Sequence, residues 1–150
     1  MAESGTHVTL RCQFCDTWNR VDAARAQDRP KCGKCGRPIL LDRPWILNAD
    51  TFERTIKESD VPVLVDFYAD WCGPCRMMAP YVDQLAAKVQ GSALVAKLNT
   101  DFAQQISIGF GIRGIPTTIV FREGQEAGRL TGSVKLSDLE GLLARAMAPA

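Results

Sequence analysis

Beyond about residue 44, apolar positions alternate between strand-length runs and helical stripes. Val61–Ala69 is almost wholly apolar and of strand length, interrupted only by Pro62, Asp66 and Tyr68, so it reads as a buried strand. Trp45–Asn48 and Ala93–Asn99 read as two more strands, and Thr117–Phe121 with Ala127–Thr131 as a hairpin turning at Glu123-Gly124. Four helices fall between and after them. Asp50 and Glu53 have capping-box spacing and open a helix to about Glu58. A long helix runs from about Cys72 to Gln90, with Pro80 expected to kink it and Gly91 to stop it. A short one covers Phe102–Ile108, and the last spans Lys135–Met147 with Leu136, Leu139, Leu142 and Leu143 on one face. The order β-α-β-α-β-α-β-β-α predicts an α/β fold, a mixed sheet covered by helices on both faces.

The first part of the chain has no such pattern. It has few aliphatic residues and no long amphipathic run, and is expected to bury little surface. Arg37-Pro38 and Arg43-Pro44 interrupt any continuing element. The boundary is placed at about Arg43, giving segments 1–43 and 44–150, the second with its own core.

Charge supports that division without adding a partner class. Residues 1–44 carry eight Lys and Arg against five Asp and Glu, whereas residues 45–150 carry ten against twelve. With a net charge of +1 and interspersed signs, nothing calls for nucleic acid or an anionic membrane. The polar start Met1–Leu10 does not read as a secretory signal, and no apolar run is long enough to span a bilayer. The expected setting is cytoplasmic, where structural disulfides are rare. The six cysteines must therefore serve metal binding or redox chemistry.

They form three C-x-x-C pairs: Cys12/Cys15, Cys32/Cys35 and Cys72/Cys75. Sixteen residues separate the first two pairs, a spacing suited to a four-cysteine structural Zn2+ site. Gly33 and Gly36 are expected to relieve the backbone there. Structural disulfides, or two further redox pairs, remain the rival readings of these four residues.

The third pair stands thirty-six residues further on, where a strand turns into a helix. A sulfur of Cys72 at a helix N-terminus meets unpaired N–H groups and the positive end of the helix dipole, which favour the thiolate. Cys75, about one turn on, can close back onto it. Pro74 suits an early helical position, where a missing N–H costs little.

Val63-Leu-Val-Asp-Phe-Tyr-Ala-Asp-Trp-Cys-Gly-Pro-Cys-Arg76 resembles the active-site strand and helix of the thioredoxin family. The likeness continues at Met78-Ala-Pro80, Gly114-Ile-Pro-Thr117, Phe121-Arg-Glu-Gly124 and Gly132, and so covers roughly residues 45–148. With the paired N-terminal cysteines, the chain resembles the second, zinc-carrying thioredoxin type of many bacteria. The resemblance implies a thioredoxin fold, here with a small N-terminal zinc module. It implies protein-disulfide reduction with Cys72 as nucleophile and Cys75 as resolving thiol, set by the Gly73-Pro74 dipeptide. It makes Asp66 a buried carboxylate that moves the Cys75 proton and Lys97 its neighbour. Asp66 lies among Val63, Leu64, Val65 and Phe67, and such surroundings raise a carboxyl pKa. Trp71 would shield the disulfide and line the docking surface, and Ile115-Pro116 would form a cis-proline loop whose residue 115 pairs with substrate. The implied partners are disulfide-bearing proteins and an NADPH-dependent thioredoxin reductase, with no bound redox cofactor. One departure is Tyr68, where many members carry tryptophan. A zinc-based redox sensor or holdase chaperone, and a non-catalytic interaction module, are the alternative functions.

Overall fold

The computed structural model describes residues 5–147, so the outer ends of the two expected segments, 1–4 and 148–150, lie outside the described residues. Its elements are β1 (His7–Arg11), β2 (Trp18–Asp22), β3 (Trp45–Leu47), α1 (Phe52–Glu58), β4 (Val63–Tyr68), α2 (Gly73–Val89), β5 (Leu94–Asn99), α3 (Gln104–Gly109), β6 (Thr117–Arg122), β7 (Gln125–Thr131) and α4 (Leu136–Met147). Short 3-10 turns cover Ala23–Asp28 and Thr100–Phe102.

Strands β3 to β7 form one five-stranded sheet in the order β3-β5-β4-β6-β7. The pairs β3/β5 and β5/β4 are parallel, while β4/β6 and β6/β7 are antiparallel. Central β4 has Val63, Val65 and Phe67 on one face, packed with Phe52 and Ile56 of α1 and Ile106 of α3. Leu64 projects to the other face, against Met78, Val82 and Leu85 of α2 and Leu139, Leu142 and Leu143 of α4. By the two-residue period of a strand, Asp66 lies on this second face, under α2. The β6–β7 hairpin turns at Glu123 (φ 53°) and Gly124 (φ 80°), the left-handed pair that a two-residue turn needs.

Two local expectations change. Helix α1 has no side-chain cap from Asp50; Asn48 Oδ1 instead accepts the N–H groups of Asp50 and Thr51 at 2.9 and 3.0 Å, which leaves the capping box unmade. Gly91 is not a left-handed stop, because α2 ends with the N–H groups of Ser92 and Ala93 both bonded to the Val89 carbonyl. Helix α2 runs from Gly73 to Val89 with Pro80, the expected kink position, inside it.

The larger difference is in the N-terminal segment, which buries more than its composition suggested. Val8, Leu10, Val21, Ala23, Ile39 and Leu41 are buried in the same cluster as Trp45, Leu47, Phe52 and Ile56. Strand β1 pairs with β2 along one edge, and its other edge is stitched to the end of α1. There the His7 carbonyl accepts the Asp60 N–H at 2.7 Å, and the Thr9 N–H donates to Ser59 Oγ at 3.1 Å. Arg20 closes the seam with a 2.8 Å bond to the Glu58 carbonyl and two bonds of 2.9 Å to the Asp60 carboxylate. The Arg54 guanidinium lies 4.4 Å over the Trp18 ring. A ribbon too small for a core of its own is thus covered by the body of the molecule.

Candidate active site and metal centre

Cys72 leaves β4 by a short turn and caps α2. Its backbone is extended (φ −84°, ψ 112°), and its sulfur accepts the Cys75 N–H at 3.2 Å. Gly73 and Pro74 occupy the first helical positions, so the proline removes an N–H that the helix would leave unpaired. Cys72 and Cys75 are joined as a disulfide with their Cα atoms 5.2 Å apart. Both are almost covered, packed with Ala69, Tyr68 and Ile115. The Ile115–Pro116 peptide is cis, and the Ile115 carbonyl oxygen lies 3.7 Å from Cys72 Sγ. Trp71 stands beside the disulfide with 68% of its surface exposed, and its indole N–H donates to Asp101 Oδ2 at 3.0 Å. Nothing in the sequence pattern had marked Asp101; its aspartate-for-indole pairing depends on the Thr100–Phe102 turn reaching across from the end of β5.

Asp66 is fully buried, and neither carboxylate oxygen has a hydrogen-bond partner in the structure. Burial pushes its pKa from 3.8 up to about 7, with the nearby Lys97 ammonium opposing the rise. Lys97 sits directly opposite Asp66 in the β4/β5 register, and its Nζ rests 4.4 Å over the Tyr68 ring. Tyr68 thus supplies an aromatic face for that ammonium. The structure therefore gathers Cys72, Cys75, Trp71, Ile115 and Pro116 at one end of the sheet, with Asp66 and Lys97 side by side on the face that α2 covers.

The four N-terminal cysteines converge in a second place. Each C-x-x-C pair forms the same tight turn. The Cys12 N–H bonds to the Thr17 carbonyl and the Asp16 N–H to the Cys12 carbonyl; in the second turn Cys32 pairs likewise with Arg37, and Gly36 with Cys32. Asp16 (φ 62°) and Gly36 (φ 76°) are the matching left-handed positions. Gly33 is not one of them; its N–H instead bonds to Asn19 Oδ1 at 2.9 Å. The four sulfurs lie within 4.8 Å of one another, with Cys12–Cys35 at 3.7 Å and Cys15–Cys32 at 3.6 Å. Four thiolates about 2.3 Å from a tetrahedral zinc stand roughly 3.8 Å apart, so the donor set fits that ion. Asn19 ties the two turns together, its amide nitrogen 3.4 Å from Cys32 Sγ and 3.1 Å from the Thr17 carbonyl. The Cys35 N–H, this amide and the Lys34 N–H bring the Cys32 thiol down to about 6, whereas burial and the three neighbouring thiols push Cys35 up to about 11.

The thioredoxin family model matches residues 43–145. The chain belongs to the thioredoxin family. Residues 11–37 match a second model, described as Thioredoxin 2, N-terminal, a zinc ribbon, and the clustered cysteines agree that this segment is a zinc-binding ribbon. Thioredoxin C-3 of Corynebacterium nephridii is 36% identical over 89% of this chain and 91% of its own. Thioredoxin 1 of a Nostoc species is 47% identical over 62% of this chain and 87% of its own. Among solved structures, a mutant thioredoxin from Halobacterium salinarum superposes with a TM-score of 0.66 at 33% identity, over 73% of this chain and 96% of that one. The thioredoxin fold thus accounts for the five-stranded sheet and its helices, and the ribbon match for β2 and the cysteine turns. No helix among the described residues is long and apolar enough to cross a membrane.

Proposed function

We propose that the chain reduces protein disulfides with the Cys72/Cys75 dithiol. The observation that carries this reading is the Cys72 sulfur at the N-terminus of α2, accepting the Cys75 N–H, beside the Ile115 carbonyl and an exposed Trp71. In the reduced chain the Cys72 thiolate attacks one sulfur of a partner's disulfide and expels the other as a thiolate, leaving a mixed disulfide. Asp66, with its proton affinity raised to about 7, takes the Cys75 proton. The Cys75 thiolate then attacks Cys72 Sγ and expels the partner's second sulfur. Two electrons pass to the partner, and the Cys72–Cys75 disulfide remains. An NADPH-dependent thioredoxin reductase returns them. Lys97 moderates the charge of Asp66, Gly73-Pro74 holds the thiols at the helix start, and Ile115 offers its backbone to the extended substrate segment beside Pro116.

Segment 1–43 holds one structural zinc through Cys12, Cys15, Cys32 and Cys35, and segment 44–150 carries the thiol chemistry. A thiolate-rich site of this kind suits a reducing, cytoplasmic setting. One observation favours a second reading: Cys35 is exposed, so an oxidant can reach the zinc site. Zinc release by mild peroxide, together with the onset of protection of client proteins from aggregation, would identify a redox-controlled chaperone.

The deciding experiment is a coupled assay with NADPH, thioredoxin reductase and a disulfide-bonded protein. Cys72→Ser should abolish turnover, whereas Cys75→Ser should accumulate mixed disulfides that thiol reagents release. Trapping by Cys72→Ser alone would reverse the two roles, and absence of turnover by the unmodified reduced chain would end the reductase reading.

A further inference from the structure

The row of the sheet that carries Asp66 holds a second orphan. Strand register places Lys97 on one side of Asp66 and Thr118 on the other, so all three side chains lie on the face covered by α2. Thr118 is fully buried, and its hydroxyl, like both oxygens of Asp66, has no hydrogen-bond partner in the structure. A threonine in a strand is explained by propensity alone, but a buried hydroxyl without a partner is not. Such a group destabilises the fold unless it is satisfied in some state of the molecule. Directly opposite it stands the one carboxylate whose proposed work is to exchange a proton.

We propose that Thr118 is the positioning residue for Asp66: its hydroxyl donates to the Asp66 carboxylate when that group ionises, by turning about its Cα–Cβ bond or through one buried water. When Asp66 is protonated the roles reverse, and the hydroxyl oxygen accepts a hydrogen bond from the carboxyl O–H. A hydroxyl can do both without moving along the chain. No bond is made or broken and no electron moves; the proton that Asp66 takes from Cys75 is the one already assigned. The groups that face Asp66 are few. Lys97 comes from β5 and Tyr68 from its own strand, while Leu130 of β7 lies beyond Thr118, and α2 and α4 contribute the apolar Met78, Val82, Leu139, Leu142 and Leu143. Thr118 is the unpartnered hydroxyl directly opposite Asp66, on the strand away from Lys97, and it can bind the anion without bringing a charge of its own.

The inference rests on the proposed base role of Asp66, and the test separates the two. Thr118→Val keeps the shape and removes the hydroxyl, Thr118→Ala removes it where valine packs poorly, and Thr118→Ser restores it. The Asp66 carboxyl is titrated directly by carbon NMR in the full-length, zinc-loaded chain, and resolution of a mixed disulfide is followed over the same pH range. Loss of a donor to the anion should raise the Asp66 midpoint by about one pH unit in the valine and alanine variants, tenfold in the ratio of ionised to protonated carboxyl, and serine should return it. The pH profile of resolution should move with it. A midpoint that stays in place or falls without the hydroxyl overturns the proposal, as does a serine variant that shifts as far as valine. Should Asp66→Asn leave resolution unchanged, the base role fails, while the carboxyl titration still decides for or against Thr118.

Discussion

Asp66 shows what one side chain costs and supplies. Its folded pKa, about 7, lies above the unfolded value near 3.8. The folded chain therefore keeps a proton that the unfolded chain has already released between these two values. Its contribution to stability is complete below about pH 4 and is lost as pH rises through 7. Asp66→Asn should accordingly stabilise the fold more at pH 8 than at pH 4, by on the order of 3 kcal/mol, measured by urea unfolding at both pH values. A difference near zero would show that Asp66 is not held protonated. The same substitution should slow resolution of the mixed disulfide more than its formation. The sequence exposed this residue because a carboxylate inside a run of Val, Leu and Phe is conspicuous. It did not expose Thr118 or Asp101, because threonine is ordinary in a strand and aspartate ordinary in a turn; only register and reach give them partners.

Legibility at the scale of elements followed how local the signal was. The β6–β7 hairpin was readable because Glu123-Gly124 lies between two apolar runs, and its left-handed φ values are a two-residue matter. The cysteine turns were readable from spacing, although the second left-handed position, Asp16, was hidden by being non-glycine. The capping box is not made because Asn48, two residues before Asp50, takes the Asp50 N–H that Glu53 would accept in it. The burial of β1 was not readable at all. Val8, Thr9 and Leu10 are all covered, with no alternation to betray it, because β2, the end of α1 and the sheet close on the strand from several sides. Leu10→Ala, at a fully buried position, should lower stability by roughly 3 kcal/mol, read from the urea midpoint of the whole chain. If the ribbon were merely tethered, that midpoint would not move.

Across the whole molecule, the N-terminal ribbon and the thioredoxin domain share one apolar cluster and a seam of hydrogen bonds through Arg20, Ser59 and Asp60. Removing residues 1–43 should uncover the Trp45, Leu47 and Ile56 side of that cluster. The truncated chain should keep its disulfide chemistry, since Cys72, Cys75 and Asp66 all remain, but with a lower melting temperature and a tendency to associate, seen by calorimetry and light scattering. Chelating the zinc should lower the melting temperature of the entire chain in one transition rather than release an early, separate one. Two well-separated transitions would mean that the ribbon and the domain fold independently.

The three tryptophans happen to be divided among these parts. Trp18 starts β2 just after the first cysteine turn, Trp45 is buried where ribbon and sheet meet, and Trp71 stands exposed beside the disulfide. Each indole is therefore an optical probe of a different event. A neighbouring disulfide quenches indole emission, so reduction should brighten Trp71 alone. Loss of metal should redden the emission of Trp18 and Trp45 while leaving that of Trp71 in place. Single-tryptophan variants, with phenylalanine at the other two positions, would let the redox state and the metal state be followed separately, by light, in one unlabelled chain.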